Sequence, residues 1–329
     1  MQAPRVLVTG GAGYIGSHTS KALKAAGFLP VALDNLVHGS RRAVQWGPLV
    51  EANFWDAAAL QRIFDEHAPV AVVHFAAYAY VGESVIHPDK YYDNNVVGTI
   101  RMLDRLKTLG RPPIIFSSSC ATYGIPTTLP ITEDHPQRPI NPYGNSKAMA
   151  EQIIADYGRA YGFRHAILRY FNAAGADADG DIGEDHEPET HLVPLVIQAA
   201  LGQREGVEVY GTDYPTVDGT AVRDYTHVSD LASAHVLSVQ HLLNGGPSLT
   251  VNLGSGKGHT VRQVIAAVEK ESGLKVPARF APRRPGDPAA LFADISHAAD
   301  VLGWRPVASE LPHIVRSALE WHRAHVAVS

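Results

Sequence analysis

The sequence has little cysteine and no long hydrophobic run. Its 329 residues include one cysteine, Cys120, which excludes a framework of internal disulfides. No stretch reaches the roughly 18 nearly uninterrupted apolar residues that a membrane-spanning helix needs, so we expect no membrane partner. The chain opens directly on a strand pattern, without the basic and apolar segments of a secretory leader. These absences predict a cytoplasmic protein.

Neither sign of charge is in large excess. The chain has 28 Lys and Arg residues against 33 Asp and Glu residues, a formal net charge of −5. It therefore carries no overall field that would attract nucleic acid, and we expect no nucleic-acid partner. With 45% hydrophobic and 19% charged residues, the composition is that of a globular protein long enough for two domains.

The first half of the chain alternates short apolar runs with longer helical patterns, which is typical of parallel strands joined by crossover helices. The predicted strands are Arg5–Thr9, Pro30–Leu33, Val70–Phe75, Pro113–Ser117 and His165–Arg169, and the predicted helices are Tyr14–Ala26, Ala57–Glu66, Asp89–Leu109 and Tyr143–Tyr161. We therefore predict an α/β fold, with a doubly wound parallel sheet of the Rossmann type and a smaller C-terminal α/β substrate-binding domain.

The pattern changes after Gly175, where an acidic, Gly-containing loop and shorter elements begin. We expect a dinucleotide-binding domain over 1–176 and a substrate domain over 177–329. A helical pattern followed by an apolar run suggests that the chain returns to the first sheet at about 223–255. Trp304 is expected in the core of the second domain.

A glycine-rich turn directly follows the first predicted strand, with Gly10, Gly13 and Gly16 spaced three and three. The first two glycines would let backbone N–H groups approach a pyrophosphate, and the third would let a helix pack closely on the strand. Such a turn alone is a weak signal. Asp34 ends the second predicted strand, where a carboxylate binds the ribose hydroxyls of NAD and repels the extra phosphate of NADP. The arginine pair at 41–42 lies farther along, so the predicted cofactor is NAD.

A candidate catalytic group lies at the start of a predicted helix, where Tyr143 and Lys147 are four residues apart and so share one face. A free tyrosine has a pKa of about 10 and is a poor base unless a nearby cation favours the phenolate. Lys147 supplies that cation. A run of serines ending in Ser119 reaches the carboxyl edge of the predicted sheet, where ligands bind in such folds. An isolated Tyr–Lys pair is common on helix surfaces, but this one follows both the glycine turn and the serine run.

These motifs resemble those of the extended short-chain dehydrogenase/reductase family, and within it the sugar-nucleotide epimerases. The similarity covers nearly the whole chain and includes VTGGAGYIGSH at 8–18, NPYGNSK at 141–147, GTDYPT at 211–216 and VRDYTHV at 222–228. It implies a homodimer and a reversible epimerisation at C4 of a UDP-sugar, interconverting UDP-glucose and UDP-galactose in galactose metabolism. The reaction would pass through a 4-keto intermediate with transient reduction of bound NAD.

The resemblance also assigns residues to the two ligands. NAD would be bound by Gly10, Gly13, Tyr14, Ile15, Gly16, Asp34, Asn35, Asn53, Phe54, Phe75, Ala76, Ala77, Asn94, Tyr143, Lys147 and Phe171. The UDP-sugar would be bound by Ser119, Tyr143, Asn172, His191, Leu192, Val209, Tyr210, Arg223, Arg284, Asp287 and Leu291. Arg223 and Arg284 would hold the diphosphate, since forked guanidinium donors suit phosphate oxygens. Tyr143, Lys147 and Ser119 would be the catalytic residues.

Four positions depart from the family pattern. Tyr-Ala-Tyr at 78–80 stands where many relatives have a lysine near the cofactor, which predicts weaker retention of NAD. Asn53 replaces an Asp that binds adenine, and His191 replaces an Asn near the sugar. Leu291 stands where a tyrosine or a smaller residue borders the C2 substituent of the sugar. Because leucine is shorter than tyrosine, the site has room for N-acetylated hexosamines.

Other functions remain to be weighed. Dehydratases of the family carry an Asp–Glu pair where this chain has Cys120 and Ala121, so elimination would lack its proton carriers. A UDP-xylose/UDP-arabinose 4-epimerase stays open, because the stretch 78–84 resembles that branch as well. From a different class, a non-catalytic NAD-binding regulator is disfavoured, because Tyr143 and Lys147 are both present.

We expect no metal site. The chain has 17 histidines, but it lacks an HExxH motif and cannot form a thiolate set with one cysteine. His186 and His191 lie in or beside an acidic loop, whose run at 177–182 has Ile at the position where a calcium loop requires Gly. We interpret that run as solvated.

Overall fold

The structure is a computed structural model that describes residues 3–284 and 286–326. The strands are β1 (Arg5–Thr9), β2 (Leu29–Asp34), β3 (Leu49–Glu51), β4 (Ala71–His74), β5 (Ile114–Ser119), β6 (His165–Tyr170), β7 (Asn172–Ala174), β8 (Val207–Tyr210), β9 (Val222–His227), β10 (Leu249–Leu253), β11 (Gly258–Thr260), β12 (Ala278–Ala281) and β13 (Ala290–Leu291). The α-helices are α1 (Tyr14–Ala25), α2 (Ala57–His67), α3 (Val81–Ile86), α4 (Pro88–Tyr91), α5 (Gly98–Thr108), α6 (Pro142–Tyr161), α7 (Leu192–Ala200), α8 (Val228–Leu243), α9 (Val261–Ser272), α10 (Ser296–Leu302) and α11 (Leu311–Val326). None of the described helices combines the length and apolar composition that a membrane crossing requires. The outermost positions of the two predicted domains, 1–2 and 327–329, lie outside the described residues.

Seven parallel strands form the central sheet, in the order β10-β6-β5-β4-β1-β2-β3. The direction of winding reverses between β1 and β4, so helices cover both faces and a crevice opens outside the carboxyl ends of these strands. In sheets of this kind ligands bind at that switch point. The predicted α/β fold class with a Rossmann-type sheet is confirmed.

The core is divided between the two faces of the sheet. Successive side chains of a strand point to opposite faces, so Val6 and Val8 of β1 pack with Leu231 of α8 in one buried cluster. Leu7 points the other way and packs with Met102 of α5 in a second cluster. Both clusters are nearly free of solvent, which fixes the sheet between two helical layers.

The chain leaves the sheet after β6 and comes back through α8 and β10, which pairs in parallel with β6. The remaining elements form a smaller unit around α7, α9 and α11, with β9 paired to β7, β11 and β13. In this pairing Asn172 lies opposite Tyr225, and Leu291 lies opposite Arg223. Strand β9 therefore gathers three candidate substrate contacts at one side of the crevice. The exact domain boundaries stay an interpretation.

The helix predicted over Asp89–Leu109 is divided in the structure. A π-helical segment, Tyr92–Val97, separates α4 from α5. Within it the buried Asn95 donates from Nδ2 to Ser146 Oγ on α6 at 3.0 Å and to the Tyr78 carbonyl at 3.0 Å. Such π segments often occur at functional sites because they turn polar side chains inward.

The prediction for Trp304 was wrong. Its side chain belongs to the buried cluster on the α1 and α8 face of the central sheet. The indole Nε1 donates to the Asp230 carbonyl of α8 at 3.0 Å. The chain returns to the central sheet first at α8 and β10 and again at Trp304. The order of elements in the sequence does not reveal the second return. The edge strand β3 was not predicted, because three residues are too short for a periodic signal.

Candidate active site

A cavity of about 1290 Å³ opens at the carboxyl ends of the central strands and extends to the smaller unit. Most of the residues assigned from the sequence line it: Gly10, Gly13, Tyr14, Ile15, Gly16, Asp34, Asn35, Phe54, Phe75, Ala76, Ala77, Asn94, Ser119, Tyr143, Lys147, Phe171, Asn172, His191, Arg223, Arg284, Asp287 and Leu291. An adjoining cavity of about 560 Å³ shares part of this wall and adds Leu192 and Tyr210. The structure thus brings the candidate cofactor, catalytic and substrate residues to one continuous space.

Two assigned residues line neither cavity in the described part of the chain. Val209 lies in β8 with only 1% of its surface exposed, so its side chain is core and not contact surface. Asn53 lies just outside the wall, where its Oδ1 accepts a hydrogen bond from Asn35 Nδ2 at 2.9 Å. Asn53 therefore orients a residue that does line the cavity.

Two positions of the glycine turn, Gly10 and Gly16, leave no room for a side chain. Gly10 has a φ of +70°, and a Cβ there would lie 2.8 Å from the backbone nitrogen of Ala76. A Cβ on Gly16 would lie 2.1 Å from the Gly10 carbonyl oxygen. Gly13 caps α1 without a side-chain hydrogen bond among the described residues, so the first backbone N–H groups of the helix stay available to an anion. This geometry fits a pyrophosphate.

Asp34 lies beside this turn at the end of β2. Its Oδ2 accepts from the backbone N of Ala12 at 3.0 Å, and its Oδ1 accepts from the backbone N of Leu36 at 2.8 Å. Burial raises its pKa, while these two backbone bonds act against that rise. The carboxylate is thereby fixed at the edge of the cavity, where it can accept from ribose hydroxyls. Arg41, which follows Asp34 in the sequence, is ion-paired with Glu51.

The start of α6 positions the catalytic pair. The Asn141 side chain accepts from the backbone N of Gly144 at 2.8 Å and caps the helix. A Cβ on Gly144 would lie 2.5 Å from the Ala121 carbonyl oxygen, so this glycine lets α6 approach the turn after β5. That approach brings Tyr143 to Ser119 at the end of β5. One turn later, Lys147 Nζ donates to the Ser117 carbonyl at 2.7 Å.

Burial disfavours the charged form of both candidate catalytic side chains. Burial raises the pKa of Tyr143 to about 12, and a hydrogen bond with Ser119 works in the opposite direction. Burial lowers the pKa of Lys147 to about 7, against the attraction of Glu151. Since Lys147 is only 3% exposed, a phenolate on Tyr143 and an ammonium on Lys147 would each supply the counter-charge that the other lacks. The pair is thus suited to hold one proton that can move.

Arginines dominate the opposite end of the cavity. Arg223 donates to the Pro288 carbonyl at 3.0 Å and pairs with Asp287 Oδ1 at 3.1 Å. The Arg284 guanidinium lies 3.8 Å from the ring centre of Tyr210. A third arginine, Arg204, lines both cavities and was missed in the sequence because no motif surrounds it. Three cations on one wall favour a diphosphate ligand.

The stretch that lacks the family lysine is packed against neighbouring side chains. Lys90 Nζ lies 4.0 Å from the ring centre of Tyr78 and pairs with Glu83 at 2.7 Å. His38, on the cofactor side of the cavity, contacts the ring of Tyr80 edge to face at 5.3 Å between centres. Lys90 is thus a cation beside this stretch, but it is already paired with Glu83.

Cys120 borders the cavity. Burial raises the pKa of its thiol to about 12, so the reactive thiolate is scarce at neutral pH. The loop before α7 adds four lining residues to which the sequence analysis assigned no ligand: Glu184, His186, Glu189 and Thr190.

The fold and the site define a dinucleotide-dependent enzyme of the short-chain dehydrogenase/reductase type. Residues 6–254 match the model of the NAD dependent epimerase/dehydratase family. The UDP-glucose 4-epimerase of Rhizobium meliloti (strain 1021) is 51% identical over 322 residues, 98% of this chain and 98% of that protein.

Two solved structures are similar over almost their whole length. The UDP-glucose 4-epimerase from Brucella ovis in complex with NAD has a TM-score of 0.95 at 53% identity, covering 97% of this chain and 98% of that chain. The UDP-glucose-4-epimerase from Stenotrophomonas maltophila with bound NAD and formylated UDP-arabinopyranose has a TM-score of 0.96 at 41% identity, covering 99% and 100%. This chain belongs to the NAD dependent epimerase/dehydratase family, which confirms the resemblance found in the sequence.

Proposed function

We propose that this chain is a UDP-glucose 4-epimerase, which interconverts UDP-glucose and UDP-galactose with NAD as a bound cofactor. The observation that carries the proposal is that the Tyr143, Lys147 and Ser119 group lies in one cavity with the glycine turn on one side and three arginines on the other. Galactose metabolism is the corresponding pathway. The single cysteine suits a reducing compartment, and we place the protein in the cytoplasm.

The proposed chemistry needs one base. Tyr143, as the phenolate held by the Lys147 ammonium, takes the proton of the 4-hydroxyl, and Ser119 shares the hydrogen bond. NAD, when bound, would accept the hydride that leaves C4 and later give it back. Loss of the proton and the hydride leaves a 4-keto sugar. Return of the hydride to the other face of C4, and of the proton from Tyr143 to the oxygen, gives the epimer. No net oxidation occurs.

The face swap requires that the nucleotide be fixed while the sugar turns. Arg204, Arg223 and Arg284 hold the diphosphate in the proposed complex, and Asn172 and Asp287 add polar contacts. Asp34 binds the adenosine ribose, and the backbone N–H groups at the start of α1 bind the pyrophosphate of NAD. The remaining residues assigned from the sequence keep the roles given there as part of this proposal, except that Val209 offers no side-chain contact.

A second candidate is C4 epimerisation of a UDP-pentose. The similar Stenotrophomonas maltophila protein holds a formylated UDP-arabinopyranose, and the arginine wall would bind the diphosphate of either substrate. We place this activity second, because the curated relatives described above are named for UDP-glucose.

The test is turnover of purified protein on UDP-galactose, UDP-N-acetylgalactosamine and UDP-arabinose side by side, without added reductant, with the C4 epimers separated by chromatography. Dominant conversion of UDP-galactose supports the proposal, and exclusive conversion of the pentose selects the second candidate. The variant Tyr143→Phe should lose about 10²- to 10⁴-fold in kcat while still binding UDP and NAD. Tyr157→Phe is the matched control, because Tyr157 lies on the same helix and its hydroxyl donates to Asp104 at 2.9 Å. Turnover by Tyr143→Phe at the wild-type rate would show that another group is the base.

We also propose a homodimer formed through α5 and α6. Val97, which directly precedes α5, and Met149 and Tyr161 of α6 are 37%, 47% and 42% exposed. A second copy of this layer would cover them.

A further inference from the structure

Four metal-binding side chains meet in the loop between β7 and α7. Glu184, His186, Glu189 and His191 each bring one ligand atom to a common point, and these atoms all lie within 4.8 Å of one another. We call this group the Glu–His cluster. It lines the wall of the large cavity and has no role in the proposed epimerisation, apart from the position of His191 near the sugar.

The spacing of the atoms is close to that of a four-coordinate ion. Glu184 Oε1 lies 3.2 Å from His186 Nδ1 and 2.6 Å from His191 Nδ1. Glu189 lies 3.2 Å from His191 Nδ1 through Oε1 and 4.0 Å from His186 Nδ1 through Oε2. Zinc bonds to nitrogen and oxygen of about 2.0–2.2 Å place tetrahedral ligand atoms roughly 3.4 Å apart. The observed separations bracket that value.

Two of the four ligand atoms have no hydrogen-bond partner among the described residues. They are Glu184 Oε1 and His186 Nδ1, and both are buried. The Glu184 side chain is only 5% exposed, and its Oε1 lies within ion-pair distance of both imidazole nitrogens. A carboxylate buried this deeply needs a cation beside it, which either a metal ion or a protonated imidazole would supply.

Backbone hydrogen bonds and a contact with α11 hold the loop in this arrangement. Glu189 Oε1 accepts from the backbone N of Thr190 at 2.7 Å and of His191 at 2.8 Å. Trp321 Nε1 of α11 donates to the Glu184 carbonyl at 3.2 Å. A Cβ on Gly183 would lie 2.3 Å from the Trp321 ring, so only glycine permits this close approach. The ligands are thus positioned in advance, as a metal site requires.

A second acidic group in the same loop already has its charge balanced by a lysine. Asp177, Asp179 and Asp181 also converge, but Lys21 Nζ lies at their centre at 2.6, 2.7 and 2.9 Å. That ammonium already supplies the cation, so this second group makes a matched control. No lysine or arginine is paired with the Glu–His cluster in the ion pairs of the described residues.

We propose that the Glu–His cluster binds one divalent transition-metal ion per chain, with Zn²⁺ as the favoured occupant. Two imidazole nitrogens and two carboxylate oxygens suit Zn²⁺, whereas Ca²⁺ and Mg²⁺ prefer oxygen ligands alone. The two carboxylates balance the charge of the ion, which suits a half-buried wall. The ion fixes the loop to the start of α7 and so positions His191 at the cavity.

The alternative is an ion pair without metal. Burial disfavours a charge on His191, but the carboxylates of Glu184 and Glu189 outweigh it and raise the pKa of the imidazole to about 10. A protonated His191 would then neutralise Glu184. The two states differ in bound metal, which can be measured directly and independently of epimerase activity.

The experiment is elemental analysis for Mn, Fe, Co, Ni, Cu and Zn on protein purified without a histidine tag and without chelator. Native mass spectrometry after addition of equimolar Zn²⁺ follows on the same sample. We expect about one metal ion per chain. The variants His186→Asn and Glu184→Gln should weaken binding by at least the roughly 10- to 100-fold that follows from disturbing even an indirect support of a ligand. Asp179→Asn should bind metal like the wild type.

Three results would overturn the proposal. The first is wild-type protein that carries no metal and takes up no Zn²⁺, which selects the protonated ion pair. The second is equal metal loss in Asp179→Asn and His186→Asn, which indicates adventitious surface binding. The third is X-ray absorption showing coordination without imidazole. Circular dichroism checks that the variants fold, and if they do not, the wild-type measurements decide.

Discussion

At the residue scale, the pKa values of Tyr143 and Lys147 predict how turnover depends on pH. The pair is active when it holds one proton, and burial lowers the pKa of Lys147 to about 7. Below that pH the pair of the free enzyme takes up a second proton, so kcat/KM should fall about tenfold per pH unit. Above it the pair stays active over a broad range.

The variant Lys147→Met tests this assignment. With the cation gone, Tyr143 alone must lose its proton, and burial holds its pKa at about 12. We expect the acid limb of the profile of kcat/KM against pH to move from near pH 7 to beyond the range in which the protein can be assayed. A Lys147→Met enzyme that keeps an acid limb near pH 7 would assign that limb to another group. Lys107→Met, a change at a surface lysine on α5, controls for loss of charge.

Leu291 carries a second prediction at this scale. Its side chain lines the cavity beside Arg223, to which it is paired in the small sheet. Replacement by tyrosine should fill the space next to the C2 substituent and lower turnover of UDP-N-acetylgalactosamine at least tenfold relative to UDP-galactose, equivalent to about 1.4 kcal/mol. The ratio of kcat/KM values for the two substrates measures this. An unchanged ratio would place the C2 substituent elsewhere.

At the scale of the element, one face of α6 carries both the candidate catalytic residues and a buried ion pair. Tyr143, Lys147 and Glu151 follow one another at four-residue spacing, so they lie on a single face. Glu151 forms a buried ion pair with Arg169 of β6 at 2.6 Å and also accepts from Gln137 at 2.8 Å. This face therefore anchors the helix to the sheet one turn beyond the catalytic lysine.

Glu151→Ala should destabilise the protein by about 3–5 kcal/mol, because Arg169 would remain buried without its counter-charge. Urea denaturation followed by circular dichroism measures the change. Gln152→Ala is the matched control, since Gln152 is exposed and bonds only to Asp156 one turn away at 3.0 Å, a pair worth about 0.2–0.5 kcal/mol. A loss below about 1 kcal/mol for Glu151→Ala would mean that Arg169 finds another partner or water.

At the scale of the whole molecule, the proposed dimer makes a prediction about assembly. Met149 lies on the exposed side of α6, and a glutamate there would place a charge in the contact between two copies. We expect Met149→Glu to elute as a monomer in size-exclusion chromatography with light scattering, where the wild type elutes as a dimer. Val307→Glu, at a residue 89% exposed in the loop after α10, should leave the assembly unchanged. A monomeric wild type would rule out the dimer.

Much of the fold was predictable because its signals are local. Strands β1 and β6, and helices α1, α2 and α6, agree with the sequence patterns to within a few residues, since buried parallel strands and amphipathic helices have distinct periods. The glycine turn, Asp34 and the Tyr143–Lys147 pair were also found, because each depends on spacing within one turn or at one strand end.

What the sequence by itself determined is thus the order of the elements and the local spacing of the glycine turn and of the Tyr143–Lys147 pair. The tertiary structure decided what depends on contacts between distant segments. Tertiary contacts place Arg204 on the cavity wall and bury Val209. They place Trp304 in the buried cluster on the α1 and α8 face of the central sheet, and they bring the Glu–His cluster together. A pattern search for metal motifs missed that cluster because its geometry comes from a folded loop held by α11. Spacing along a chain fixes neighbours within an element, whereas packing alone fixes which loops meet.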